Sequence, residues 1–237
     1  MKKLNISEIQ NSAGFERVDK QDNHYIHCRV LIVCEGEKTE PNYFRSFEMM
    51  KNSSDFVFEM DFGGGKINTI AVVDKAIELR NQAIAKKKPY DAVWAVFDKD
   101  DFGNSDFDNA INKAHDNDIG CAWSNEAFEL WYVYHFDNRN TSMKRTQYKK
   151  AITNRIRNNG KVGFTYKKNN PEMRKILMEH GGSEELAIRY AQTQADSFGN
   201  KKYHAHNPAT TVYKLVRLLR GEDKSFNSKI KKSLRAK

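Results

Sequence analysis

"RVLIVCEGEKTEPNYF", from Arg29 to Phe44, is the stretch whose reading decides the fold. A short apolar run, Val30 to Cys34, stops at a crowd of acids: Glu35, Glu37 and Glu40 fall within six residues. An unbroken apolar run of this length suits a strand covered on both faces. Thr39 fits a helix N-cap and Pro41 the first turn behind it, so a helix is expected to start near Glu40.

The same alternation continues downstream. "FVFEMDF" reads as a second strand, and "FGGGK" as a turn. "NTIAVVDKAIELRNQAIAKKK" follows as a long helix, and Ala92 to Phe97 as a third strand. "DFDNAINKAHDND" reads as a helix, "IGCAW" as a fourth strand, and "SNEAFELWYVYHF" as an aromatic helix capped by Ser124 and Asn125. Strands separated by helices imply right-handed crossovers and a mostly parallel sheet. The expected fold is therefore α/β, with a four-stranded sheet flanked by helices. A lead segment, 1–28, precedes this domain at 29–137.

Charge divides the chain at the same place. Residues 1–137 carry 16 basic and 24 acidic side chains, and residues 138–237 carry 24 and 7. The second part shows no strand pattern and reads as helices near 142–157, 170–180, 183–197 and 208–220. Asn207 is the expected cap of the last helix and Pro208 its first residue. The tail, 221–237, is polar and basic and is expected to lack structure. A block this basic suggests a nucleic-acid partner, against the alternative of a solvated surface. Candidates for the phosphate backbone are Lys144, Arg145, Lys149 and Lys150, then Arg155, Arg157 and Lys161. Lys38 is a further candidate, with a helix-end salt bridge as its alternative.

Other classes fall away. No apolar run approaches the roughly 20 residues of a bilayer span. The opening "MKKLNISEIQNSAGF" has no apolar h-region. Cys28, Cys34 and Cys121 make neither a disulfide framework nor a CxxC pair, and a cytoplasmic location is expected. "FGGGKIN" lacks the spacing of a Walker A loop, so any ATP dependence would come from another chain. His204 and His206 have no third zinc ligand near them in sequence.

The chemistry rests on where the acids fall. In an open parallel sheet, ligands bind outside the carboxyl ends of the strands. The first strand ends at Glu35, and the third at Asp98, followed by Asp100 and Asp101. Oxygen ligands without His or Cys suit Mg²⁺ or Mn²⁺. Glu35, Asp98 and Asp100 are therefore the expected centre of one divalent-metal site, with Asp101 a weaker candidate. Glu37 and Glu40 read instead as helix caps or partners of Lys38.

An apolar strand with Glu-Gly, "LIVCEG", then a later one with Asp-x-Asp, "WAVFDKDD", resembles the Toprim domain of topoisomerases, bacterial primases and overcoming-lysogenization-defect nucleases. With "SNEAFELWYVYHF" and "HNPATTVYKLV" added, the chain from Arg29 to about Leu219 looks like the RloB family. That resemblance implies an abortive-infection effector encoded beside an ATPase of the ABC or AAA type. It implies that Glu35 serves as general acid or base or as a ligand, and that Asp98 and Asp100 hold Mg²⁺. Glu129 resembles a further ligand, with a surface glutamate as the alternative. The pattern leads one to expect proline where this chain has Glu126.

Three functions are consistent with this reading. The first is a metal-dependent nuclease acting on DNA or RNA, tRNA included. The second is a non-catalytic Toprim-like subunit that binds nucleic acid or regulates the ATPase. The third, a topoisomerase or primase, is disfavoured by the absence of a strand-passage gate, a catalytic-tyrosine domain and a zinc finger. A homodimer is left open.

Overall fold

The computed structural model describes residues 25–48, 55–65, 68–99 and 103–236. Four parallel strands form the heart of the sheet: β1 (Ile26–Cys34), β2 (Phe56–Gly64), β3 (Ala92–Asp98) and β4 (Gly120–Asn125). A two-residue β5 (Ala209–Thr210) pairs antiparallel with β4, and the order across the sheet is β2-β1-β3-β4-β5. The sheet thus has five strands where four were expected. The fifth comes from the basic half, which is not a separate helical appendage.

Alternation along the strands sorts the core into two layers. Val30, Ile32, Cys34, Trp94 and Val96 face one side. Leu31, Val33, Val93, Ala95 and Phe97 face the other. Both sides are covered, as a nearly continuous apolar strand requires. Helices α2 (Thr69–Ala85) and α3 (Asn104–Asp116) pack on the second side. The first side is larger and takes α1 (Thr39–Arg45), α4 (Glu129–Tyr134) and α5 (Arg145–Asn158), then α6 (Met173–Glu179), α7 (Glu184–Asp196) and α8 (Val212–Leu219).

Several boundaries differ from the expectation, each for a local reason. Thr39 is the first helical residue of α1, and Lys38 takes the cap position. Ser124 and Asn125 do not cap a helix but close β4. The Ser124 hydroxyl shares a hydrogen bond with that of Thr210 at 2.9 Å, and the Asn125 amide donates to the His204 carbonyl at 3.0 Å. Pro208 does not open a helix: the chain first pairs with β4 through Ala209 and Thr210. Thr210 and Thr211 fix this pairing by donating their hydroxyls to the Trp123 and Cys121 carbonyls, both at 3.0 Å. The helix begins only at Val212.

The tail expected to lack structure forms α9 (Lys224–Arg235), capped by the Asp223 carboxylate, which accepts from the Phe226 amide at 2.9 Å. Phe226 rests against Phe56 and Phe58 on β2, and Lys231 pairs with Asp55 at 2.7 Å. A polar, basic composition concealed two apolar residues four apart, Phe226 and Ile230, which suffice to seat one helix face. No helix among the described residues is long and apolar enough to cross a membrane.

Candidate functional site

Because β1 and β3 are parallel neighbours, Glu35 and Asp98 leave the sheet at the same edge. The Glu35 amide continues the ladder by donating to the Val96 carbonyl at 2.9 Å. The Glu35 carboxylate in turn accepts from the Asp98 amide at 3.1 Å. One acid is thereby fixed to the backbone of the other.

Strand parity decides where Asp98 points. It continues the Trp94–Val96 series, so its side chain faces the layer that holds α1 and α4. There it is only 7% exposed, and the Phe128 amide donates to it. Glu129, in the first turn of α4, is equally buried, and its Oε1 accepts from the Tyr166 hydroxyl at 2.9 Å. Glu40, on α1, is 6% exposed. Its carboxylate fills the space that a Cβ at residue 36 would need, which explains why glycine follows Glu35.

Four acids therefore surround this edge, and two of them, Asp98 and Glu40, are shifted by it. Burial first, then the charges of Glu40, Glu129 and Glu35, push the Asp98 carboxyl well above the usual range. Burial and Glu129 also raise Glu40, opposed by its own backbone amide, Lys168 and Arg145. The hydroxyls of Tyr132 and Tyr166, buried against the same acids, are held firmly protonated.

Among the described residues, no three His, Cys, Asp or Glu side chains already stand at metal-holding distance. Asp100 and Asp101 lie outside the described residues. The donor set itself fits a hard divalent cation. It is all oxygen, and it concentrates negative charge on a buried carboxyl that only a proton or a cation would relieve. The three thiols do not enter it: all are buried, with Cys28 and Cys121 each pushed up to about 12 by burial first.

The structure distributes the expected site residues unevenly. Glu35, Asp98 and Glu129 share one edge. Glu40, expected to be a cap or a partner of Lys38, joins them instead, because the chain bends at 35–38 after the strand and α1 turns its first residues, Thr39 and Glu40, inward. Its distance from Glu35, five residues with a glycine next to the strand, was the available signal. Glu126 is half-buried, follows a cis peptide bond and lies near Tyr148.

Among the basic candidates, Lys38, Lys144, Arg145, Lys149 and Lys150 are exposed. Arg145 lies close enough to Glu40 to act on its charge. Arg155 and Arg157 are engaged within the protein. Arg155 is paired with Asp137, Nε to Oδ2 at 2.8 Å. Arg157 donates to the Phe164 carbonyl at 2.6 Å and to the Thr165 hydroxyl at 3.1 Å. Lys161, just beyond α5, is half-buried.

The molecule is thus an α/β protein with an all-carboxylate edge at the ends of parallel strands, overlaid by basic helices. The family model for RloB-like proteins matches residues 30–219, and the chain belongs to that family. The match runs from within β1 to the end of α8 and so includes β5. Neither the curated proteins nor the solved structures gave a match.

Proposed function

We propose that this chain is a Toprim-like, metal-dependent phosphodiesterase acting on DNA or RNA, tRNA included, and the toxic effector of an abortive-infection system. The observation that carries the reading is Asp98: a carboxyl at a strand end, raised first by burial and then by three neighbouring acids. Perturbation of this kind is characteristic of sites that bind a cation or move a proton.

Glu35, Asp98, Glu40 and Glu129 would hold Mg²⁺ or Mn²⁺, together with Asp100, which follows Asp98 closely in sequence. When bound, such an ion polarises a phosphate oxygen and lowers the pKa of a water. The remaining tasks belong to the protein's own side chains. Glu35, held by the Asp98 amide, keeps one carboxylate at the strand end. Tyr166, kept protonated, orients Glu129 by its hydroxyl. The exposed cations of α5, Lys149 and Lys150, supply charge for a nucleic-acid backbone, which positions a substrate without reading its sequence. An ATPase subunit would restrain the activity and supply any nucleotide dependence.

The test is incubation of the purified chain, with and without the ATPase encoded beside it, with plasmid DNA and total RNA in Mg²⁺ or Mn²⁺. Cleavage that Asp98→Asn reduces by about three orders of magnitude, or about 4 kcal/mol of barrier, is expected. Nucleic-acid binding without cleavage under every condition would leave the regulatory-subunit reading in its place.

A further inference from the structure

One segment links the basic half to the carboxylate edge, and its residues were not among the expected site. From Phe164 to Asn169 the chain runs as a strap between α5 and α1. Its upstream end is held by Arg157 and by the Thr153 hydroxyl, which accepts from the Tyr166 amide at 3.0 Å. Its middle is fixed by Tyr166, 4% exposed and bonded to Glu129. Its downstream end is tied to α1. The Asn169 side-chain oxygen accepts from the Thr39 hydroxyl at 2.9 Å, and its carbonyl accepts from the Asn42 amide at 3.0 Å. Asn169 makes the corner with φ at 71°, a region that asparagine tolerates better than most side chains.

Lys167 and Lys168 lie between the Glu129 anchor and the anchor beside Glu40, and both are exposed. We propose that Lys168 is a phosphate-binding residue, which the strap holds at the carboxylate edge to receive a phosphodiester oxygen of the nucleic-acid substrate. This rests on the phosphodiesterase reading. A phosphate approaching four acids needs a protein cation beside the metal, and lysine serves phosphate as a compact point charge. A surface lysine ordinarily loses much conformational freedom on binding. Here the backbone on both sides is already fixed, so that cost is reduced. Tyr166 is bonded to Glu129 and Asn169 to Thr39, the neighbour of Glu40, so the strap sets Lys168 beside the edge. The strap also gives Arg157 a role: it positions the segment and is not itself a phosphate contact.

The experiment is a salt titration of binding to labelled single-stranded and duplex oligonucleotides without divalent metal, paired with cleavage in Mg²⁺. Wild type, Lys168→Ala, Lys168→Arg and Lys175→Ala are compared. Lys175, on α6, is 65% exposed and lies off the strap. Lys168→Ala should lose about tenfold in affinity and lower the log–log salt slope by about 0.7 on single strands or 0.9 on duplex, the value of one phosphate contact. Lys168→Arg should keep most of the slope, and Lys175→Ala all of it. An unchanged slope in Lys168→Ala, or an equal drop in Lys175→Ala, overturns the proposal. A chain that binds with a Lys168-dependent slope yet cleaves nothing sustains the phosphate contact and removes the hydrolytic reading. A wild-type chain that binds no nucleic acid overturns both.

Discussion

Glu184 and Asp98 are both acids taken almost wholly out of water, at 3% and 7% exposure, and they titrate in opposite directions. Glu184 is met by cations. Arg174 donates to it twice, at 2.9 and 3.1 Å, Arg220 approaches at 3.4 Å, and the Tyr43 hydroxyl donates at 2.9 Å. Burial alone would raise its carboxyl, but Arg174 brings it below the ordinary range. Asp98 is met by other carboxyls and is raised. The two show what burial of a charge is for. Glu184 ties α1, α6, α7 and α8 together, and its charge is answered within the fold. Around Asp98 stand other acids and the Phe128 amide.

Glu184→Ala should give the largest effect on folding. It strands Arg174, only 15% exposed, without its counter-charge. Removing one partner of such a pair costs about 3–5 kcal/mol. Urea unfolding measures it, and a loss below about 1 kcal/mol would place Glu184 with the ordinary surface acids and dissolve the contrast.

Mg²⁺ should come next. If the Asp98 edge binds it, a hundredfold excess over Kd stabilises the protein by about 2.7 kcal/mol. Thermal unfolding with and without the ion reads this directly, and Asp98→Asn should cancel it. An equal gain in Asp98→Asn would assign the stabilisation to another site.

Without metal, Asp98→Asn should be more stable than wild type, by the 0.5–2 kcal/mol or so typical when a functional site's burden is removed. The pH dependence follows with its signs. Carboxyls raised by folding, Asp98 and Glu40, contribute stability that is fully present below their unfolded pKa and is lost as pH rises through the folded value, so moderate acidification from neutrality should stabilise the protein. Glu184 has a depressed carboxyl. Its contribution is present above the unfolded glutamate pKa, about 4.3, and is lost as pH falls through the lower folded value. Metal-free stability should therefore rise and then fall on acidification. Asp98→Asn should flatten the neutral limb and Glu184→Gln the acid one. A monotonic profile would refute the opposition between the two carboxyls.

These two settings were not equally legible in the sequence. The parallel sheet and the edge bearing Glu35 and Asp98 follow from apolar runs that end in acids, because strand direction alone fixes which ends meet. Glu129 was marked by the family resemblance. Glu40 was misassigned, since a glutamate in a first helical turn is the usual sign of a cap. Its spacing from Glu35 across Gly36 was the one hint, and the path of α1 over Gly36 shows it turned inward. Glu184 gave no signal, because its partners lie 10, 36 and 141 residues away in the chain. β5 was hidden for a related reason: two residues carry no periodicity, and its pairing is decided by threonine hydroxyls of its own end, Thr210 and Thr211, bonding to a strand 86 residues earlier. Long-range polar contacts of this kind leave no local pattern to read.

The smallest effect concerns a third kind of carboxylate, Asp137. It pairs with Arg155, but both lie open to solvent, at 34% and 50% exposure. Water screens such a pair, and its contribution to folding is about 0.2–1 kcal/mol. Arg155→Gln should therefore unfold within about 1 kcal/mol of wild type. Its effect on nucleic-acid binding is the sharper question. The α5 face that buries Tyr148, Ile152 and Ile156 leaves Lys149 and Lys150 exposed to solvent, whereas Arg155 is committed to Asp137. The salt slope of binding should fall on Lys149→Glu and change little on Arg155→Gln. A drop on Arg155→Gln as large as that of Lys149→Glu would mean that the Asp137 pair opens when nucleic acid arrives. Asp137 would then be an acid that trades its cation to a phosphate, unlike Glu184, which never releases its own.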